Sequence, residues 1–507
     1  MIIIIKLVFL SLCYSQGFNS HINEYEKVQL EIEVIMNNIE DESLFIFPNI
    51  SKRRSISRLN LLNKFSNNLK LEPVFAFRYS NAGFELYPNI TPSDLVWISP
   101  GFKFSGNLPI FYSFTSIWLH FWVDFYKHSS YSFQNNEINS FDKLFEFNPK
   151  YSIEYYRVDQ SINAIEFDQS QGGIALLSPE FSLILGKMKL NLGPFFRDNL
   201  SISNSTPSFQ QIRLNKKFFN EDKELLFTYV FGSLYSSILD SSLQSLYIDV
   251  NQDKRTPNLS RYIALHRVDL KFKPNFRIGF YEKIIFGGRD IPFEYLNPLM
   301  PFWSAQHSLG DLDNLIMGLD FTYIYKKSRI VGAFFMDEVD PYKIFDNENR
   351  NWFGYQLGFS YLPLFFNDKL LFKSEYTKLD PRVYNHRYDI NYPTHHNYNL
   401  GFFTGGHSQD IWFSLYYFFN DLMHFNVSYE TTMIGEQDIS KQYKDEEIDF
   451  LKGNLNKRNV YTLEIFKKMP LNIDMIFNIK SFETLNLGYK QNKFYETSIS
   501  FLYNLHY

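Results

Sequence analysis

What most constrains this chain is a period of two that recurs along it, with no apolar run long enough for a membrane helix. Between Ile117 and Tyr126 one parity reads Ile117, Leu119, Phe121, Val123 and Phe125, and the other Trp118, His120, Trp122, Asp124 and Tyr126. Such a strand has one apolar side and one mixed side. The pattern returns at Phe353, Tyr355, Leu357, Phe359 and Tyr361 against Trp352, Gly354, Gln356, Gly358 and Ser360. It returns again through Phe425, Val427, Tyr429, Thr431 and Met433, and through Ile473, Met475, Phe477 and Ile479. A membrane helix needs about eighteen consecutive apolar residues, whereas the longest apolar stretches beyond residue 15, such as Ile330 to Met336, are strand-sized.

Composition narrows the classes further. The chain has 507 residues, 45% of them apolar and 21% charged, which excludes disorder, collagen and coiled coil. Phe, Tyr and Trp make up 19%. An A·T-rich genome would enrich the same residues, so their placement carries the argument and their abundance does not. A net charge of −5 is too small to steer a polyanion, and no nucleic-acid partner is expected.

The start of the chain reads as an export signal. Met1 to Lys6 precede an apolar core from Leu7 to Tyr14, followed by Ser15 and Gln16 at positions suited to cleavage. The apolar core is too short to span about 30 Å of hydrocarbon as a retained anchor. The one cysteine, Cys13, lies inside this stretch, so no intrachain disulfide and no thiolate metal cluster can form. Leu12 stands where a lipoprotein signal needs a small residue, which argues against lipidation of Cys13.

Alternation alone also suits a soluble β-sandwich, whose apolar faces turn inward. The C-terminus favours a barrel. Tyr495, Thr497, Ile499, Phe501, Tyr503, Leu505 and Tyr507 share one parity and end on an aromatic, resembling the terminal strand by which outer-membrane barrels are recognised for assembly. A closed barrel pairs every backbone amide within lipid. The expected fold is therefore an all-β, closed antiparallel transmembrane barrel of about eighteen strands, allowing about 24 residues per strand and connection. The expected organisation is a signal at 1–15, a periplasmic helical segment at 16–72 and the barrel at 73–507. Polar loop candidates are 127–150, 251–261, 337–351, 380–397 and 435–459.

Before the barrel the period changes. Tyr25, Val28, Ile32, Ile35 and Met36 fall at spacings of three and four, as do Ile56, Leu59, Leu62, Phe65 and Leu69, which predicts two short amphipathic helices. Following the signal directly, they belong on the periplasmic side, where their apolar stripes can cover the barrel mouth. No Gly/Ser linker separates them from the strands, which favours docking over tethering.

A family resemblance rests on an ordered set of motifs. Leu185-Gly186-Lys187, Leu192-Gly193-Pro194 and Leu200-Ser201-Ile202-Ser203-Asn204-Ser205-Thr206-Pro207 come first. His266-Arg267-Val268-Asp269, Tyr281-Glu282-Lys283, Gly287-Gly288-Arg289 and Tyr295-Leu296-Asn297-Pro298-Leu299 follow, then Asp313-Asn314, Gly318-Leu319-Asp320, Asp380-Pro381 and Tyr384-Asn385-His386-Arg387. In this order they resemble the Wzi-type capsule assembly family of bacterial outer-membrane proteins, over about residues 20–507 and most strongly between 178 and 411. The resemblance implies an outer-membrane barrel of about eighteen strands with an N-terminal helical element at its periplasmic end. It implies a lectin that helps hold capsular polysaccharide at the cell surface. The identity of the glycan does not carry over, because the glycan-contacting loops are the family's variable part.

Sugars are gripped by aromatic faces and by planar amide, carboxylate and guanidinium groups. The non-lipid parity offers Trp118, Trp122 and Asp124 on one strand and Arg267 and Asp269 on another; Glu282, Arg289, Asn297, Asp313 and Asn314 complete the candidate ligand-binding set. An internal ion-pair and hydrogen-bond network that stiffens the barrel is the favoured reading for Trp118, Trp122, Asp124, Arg267 and Asp269, and structural pairing for Glu282. Glu282 shares parity with Phe280 and Ile284, so a bulge or a place near the rim is expected there, with Arg267 or Arg289 as its partner. Pro292, Pro298 and Pro301 forbid a regular strand, and the block from Arg289 to Asp320 is expected to fold inward or across a mouth.

No cofactor or metal is expected. Asp311 and Asp313 lack the glycine and glutamate of a helix–loop–helix calcium loop, and on a strand the adjacent His395 and His396 would point to opposite faces. Gly406-His407-Ser408-Gln409-Asp410 begins like a nucleophile elbow, but Asp410 replaces the second glycine. The function expected is a monomeric barrel that binds surface or capsular polysaccharide, with outer-membrane lipid around it. A porin-like diffusion channel is the alternative, and a barrel-embedded hydrolase a third reading.

Overall fold

The computed structural model describes residues 24–37, 69–81, 95–111, 117–132, 157–159, 164–178, 180–203, 205–220, 223–338, 351–366, 368–396, 398–436, 449–451, 453, 455–486 and 492–504. The signal stretch, the second expected helix as far as Phe65, and the terminal Leu505 and Tyr507 lie outside them. The barrel strands in chain order are β1 (Lys70–Ser80), β2 (Leu95–Phe111), β3 (Ile117–Ser132), β4 (Ala164–Leu177), β5 (Phe181–Met188) and β6 (Phe209–Asn220). Next come β7 (Lys223–Leu234), β8 (Arg261–Lys273), β9 (Phe276–Gly287), β10 (Asn314–Tyr325), β11 (Ser328–Glu338) and β12 (Trp352–Tyr361). The last six are β13 (Leu370–Leu379), β14 (Ser408–Asn420), β15 (Met423–Ile434), β16 (Asn456–Met469), β17 (Ile473–Asn486) and β18 (Asn492–Asn504). Each pairs antiparallel with its chain neighbours, and β18 pairs with β1 from Val74↔Asn504 to Ser80↔Ser498, closing a ring of eighteen strands. A three-residue strand, Arg157–Asp159, pairs antiparallel with the start of β4.

The outward parity is the one the alternation singles out. On β12 Tyr355, Leu357, Phe359 and Tyr361 are exposed, whereas Trp352, Gly354, Gln356, Gly358 and Ser360 are buried inside. On β18 Glu496 and Ser498 turn inward, while Tyr495 is exposed outside. No helix among the described residues is long and apolar enough to cross a membrane.

Connections at one end are tight, as at 274–275, 326–327, 421–422 and 470–472, and long at the other, as at 189–208, 235–260, 288–313 and 380–407. Outer-membrane barrels keep their short turns on the periplasmic side, which orients the molecule. Several strands run further into the long-loop end than sequence alone suggests: β3 takes in Lys127 to Ser132, and β16 takes in Asn456 to Asn459.

The lumen is filled by the chain itself. Helix α1 (Glu24–Asn37) packs inside the barrel near the end that carries the short turns, not across its mouth. Val28 and Ile35 pack with Leu362, Leu371, Trp412, Tyr416 and Phe196, and Ile32 joins them, while Leu30 and Val34 pack on the other side with Leu190, Leu192 and Ile324. From the opposite end the segments 189–208 and 380–407 fold inward; Leu200, Val383, Tyr384 and Phe402 form a core with the inward-facing Tyr281, Ile316 and Phe335. This packing explains why β7 to β10 carry apolar residues on their inner side, among them Leu226, Val230, Ile263, Leu265, Ile285 and Ile324. Barrel interiors are usually polar; here the inner wall is mixed, its apolar residues packed against the inward segments and polar ones such as Arg267, Asp269 and Asp320 paired with one another.

Candidate functional site

The segment between β5 and β6 sets the geometry of the lumen. Its turn at Gly193 adopts φ +144°, and a Cβ there would collide with Asn199, whose Oδ1 accepts the Phe195 amide at 3.0 Å. The tip then meets the helix: the Lys27 ammonium donates to the Phe196 carbonyl, and Arg329 on β11 donates to the Pro194 carbonyl at 2.9 Å. Glu31 of α1 accepts from Ser360 at 2.6 Å and pairs with Lys373 and Arg329. Plug and inward segment are therefore one hydrogen-bonded body.

The same segment carries Arg197 into a charged cluster on the inner wall. Its guanidinium pairs with Asp410 on β14 at 2.6 Å and with Glu430 on β15 at 2.8 Å, and Glu430 also pairs with Arg458 on β16. Thr432 donates to Asp410 at 2.8 Å. The rings of Trp412 and Phe403 lie 5.5 and 5.4 Å from the Arg197 guanidinium carbon. Glu375 fixes the approach by accepting the amides of Phe196 at 2.6 Å and Arg197 at 3.2 Å. Arg197, Glu430 and Arg458 keep 17%, 16% and 19% of their side-chain surface exposed, so the edge of the cluster stays accessible. It joins the planar charged groups and aromatic faces that bind sugar hydroxyls and C–H surfaces. Asp410 and Glu430 sit two and four residues from the long-loop ends of β14 and β15, so the cluster lies toward the long-loop end of the wall.

The candidate residues read from the sequence fall in four separate places. Trp118, Trp122 and Asp124 line the inner face of β3, all buried. Trp122 stacks on His120 at 5.6 Å and packs with Ala175, Ile184 and Met188, while Asp124 lies directly across the ladder from Lys103. Arg267 and Asp269 are buried at mid-wall. Four hydrogen bonds of 2.7–2.9 Å join Arg267 to Asp269 and Asp320, and the absent side chain of Gly279 leaves space for the guanidinium. This is the internal ion-pair network expected of a stiffened wall. Asn314 faces inward and donates to the Asn391 carbonyl at 3.0 Å.

Glu282, Arg289, Asn297 and Asp313 are somewhere else. The ladder is regular at Glu282, whose side chain is on the outer wall, and its partner is His266 at 3.1 Å, neither Arg267 nor Arg289. The segment 288–313 does not enter the lumen: Tyr295, Phe302 and Ala305 pack with Tyr229, Ala264, Ile284 and Phe286, all of outward parity. Arg289 pairs with Asp313, which also accepts from the Tyr295 hydroxyl at 2.7 Å. Asn297 is exposed, its Oδ1 accepting the Leu299 amide at 3.1 Å. Prolines mark this segment as non-strand but carry no information about which side of the wall it takes, hence the inward expectation.

Other motifs are structural. His407 bonds through Nδ1 to the Glu436 carbonyl and through Nε2 to the Leu451 amide, while the Ser408 hydroxyl donates to the Gly405 carbonyl at 2.7 Å. The elbow-like run therefore pairs no base with its serine. His395 accepts the Tyr235 amide at 2.9 Å, and His396 stacks on Tyr235 at 4.3 Å. Among the described residues no three His, Cys, Asp or Glu side chains are grouped to hold a metal ion.

Closure, the apolar outer wall and the chain-filled lumen define a plugged outer-membrane β-barrel. Residues 120–493 match the family model of the capsule assembly protein Wzi, and the chain belongs to that family. It is an outer-membrane protein of a Gram-negative-type bacterium. Among solved structures it is similar to Escherichia coli Wzi, an outer membrane protein involved in group 1 capsule assembly and a carbohydrate-binding β-barrel, with 10% identity and a TM-score of 0.49 over 99% of this chain and 97% of that one. It is also similar to OccAB4 of Acinetobacter baumannii, with 10% identity and a TM-score of 0.48 over 87% of this chain and 99% of the other. The protein opdK of Pseudomonas aeruginosa gives 11% identity and a TM-score of 0.44 over 86% and 99%. No curated protein sequence matches the chain.

Proposed function

We propose that this barrel binds surface or capsular polysaccharide and holds it at the cell surface, and that it neither conducts solutes nor catalyses a reaction. Membership of a capsule assembly family supports the role. The observation that carries the reading is the contact between α1 and the tip of segment 189–208, where Lys27 and Arg329 clasp the carbonyls of Phe196 and Pro194. A lumen filled from both ends disfavours a channel and leaves the outward-facing rim as the working surface. Toward that end of the wall Arg197, Glu430 and Arg458, each partly exposed, offer the donors and acceptors that an acidic or neutral glycan needs. The candidates on β3 and β8 serve the barrel wall. A ladder closed between β18 and β1 leaves no free edge, which supports a monomer.

The test is a deletion strain complemented with the intact chain or with Arg458→Met, scored by cell-attached and shed glycan. Restored attachment by the intact chain, with shedding in the variant at equal barrel abundance, supports the proposal. Attachment unchanged by deletion refutes it.

A further inference from the structure

The outer wall over β7 to β10 is covered by a piece of the same chain, and this cover has a second apolar side. Across the ladder the outward row runs Leu214, Tyr229, His266, Glu282, Met317 and Met336. The row is apolar or aromatic except at His266 and Glu282, where an ionisable pair would face acyl chains. Segment 288–313 hides that pair. The Phe302 amide, at the start of α2 (Phe302–Ser308), donates to Glu282 Oε1 at 3.0 Å, and the Phe302 ring stacks on His266 at 3.9 Å. The inner polar groups of the segment are satisfied locally: Gln306 donates to the Asp313 carbonyl at 2.8 Å, and Tyr229 to the Tyr295 carbonyl at 2.7 Å.

Away from the wall the segment shows Phe293 (84% exposed), Leu299 (79%) and Trp303 (56%), with Leu296 between them. A loop surrounded by water has no reason to be apolar on both sides. This surface continues the bare strand wall beside it, where Phe280 and Leu319 are exposed with the same parity. Ser304, His307, Ser308 and Asp311 are exposed too, a mixture that fits the boundary between headgroups and acyl chains, where tryptophan is favoured.

We propose that segment 288–313 is seated in the outer leaflet of the membrane, with Phe293, Leu299 and Trp303 among the lipid chains. It thus replaces the strands as the lipid-contacting surface over His266 and Glu282. The occupant of this face is lipid, neither glycan nor a second copy of the chain.

Tryptophan emission reads this directly, because the other five tryptophans, Trp97, Trp118, Trp122, Trp352 and Trp412, are all buried. The full chain is reconstituted into phosphatidylcholine vesicles whose acyl chains are brominated, beside an unbrominated control. Bromolipid is expected to quench part of the emission, aqueous iodide to leave that part untouched, and Trp303→Phe to remove it. A nitroxide at Leu299→Cys in a Cys13→Ser background should be relaxed by oxygen more than by a water-soluble nickel chelate. Quenching of Trp303 by iodide with none from bromolipid would place the segment in water and overturn the proposal. So would protection from both reagents combined with disulfide-linked dimers of the Leu299→Cys chain.

Discussion

Glu31 on α1 and Lys373 on β13 form an ion pair with 2% of either side chain exposed, and Arg329 and Ser360 complete the shell around the same carboxylate. One acidic residue of the N-terminal helix thus ties β11, β12 and β13 to the plug. Removing one partner of a buried pair costs about 3–5 kcal/mol, because the other charge is left uncompensated. Glu31→Ala is expected to loosen α1 and admit small sugars in a liposome-swelling assay, where the intact chain admits none. Restored closure in Glu31→Leu combined with Lys373→Met and Arg329→Met would show that packing can replace the charges.

The Arg267 network makes the opposite prediction about function. Arg267→Met leaves Asp269 and Asp320 buried without their main cation, and about 3–5 kcal/mol of stability should be lost. The folded barrel band on an unheated gel should convert to the unfolded form at a lower temperature. Glycan attachment per folded molecule should stay unchanged, and its selective loss would move Arg267 from the wall to the binding site.

Tyr384 joins the two inward segments. Its hydroxyl donates to the Leu200 carbonyl at 2.7 Å and accepts the Phe402 amide at 3.1 Å. Tyr384→Phe leaves two buried backbone groups unpaired, worth about 1–3 kcal/mol. Faster amide exchange in 189–208 and 380–407, with the strands unaffected, is the expected readout.

Acid should loosen segment 380–407. Burial pushes the His386 imidazole down to about 4 and that of His395 down to about 3, against an ordinary value near 6.5. Both rings accept a backbone amide through Nδ1, from Tyr388 and Tyr235, which a protonated ring cannot do. A histidine with a depressed folded-state pKa takes up its proton earlier when unfolded. Its contribution is therefore complete above about pH 6.5 and declines as the pH falls toward 4. Exchange rates for 380–407, corrected for intrinsic pH dependence, should rise across that window, and His386→Asn should flatten part of the rise.

The barrel was legible because parity survives in one dimension: each outward aromatic of β12 can be named from the sequence, and so can the strand that closes the ring. The plug was half legible. The stripe of Val28, Ile32 and Ile35 announces an amphipathic helix, but Leu30 and Val34 on its other side find partners only once the helix is inside a cylinder. The Arg197 cluster carried no local signal, since its partners Asp410 and Glu430 are 213 and 233 residues away in sequence. Glu282 was visible as a violation of parity. Its resolution was not, because a loop from the same chain supplies both the hydrogen bond and the cover.

The most direct test of a barrel stoppered by its own chain is current through the intact protein in a planar lipid bilayer at neutral pH. No steady conductance steps are expected, and loosening by Glu31→Ala should produce them. Long-lived ohmic openings of the unaltered protein, similar in size to those of a diffusion porin, would contradict the closed lumen and the glycan-holding role built on it.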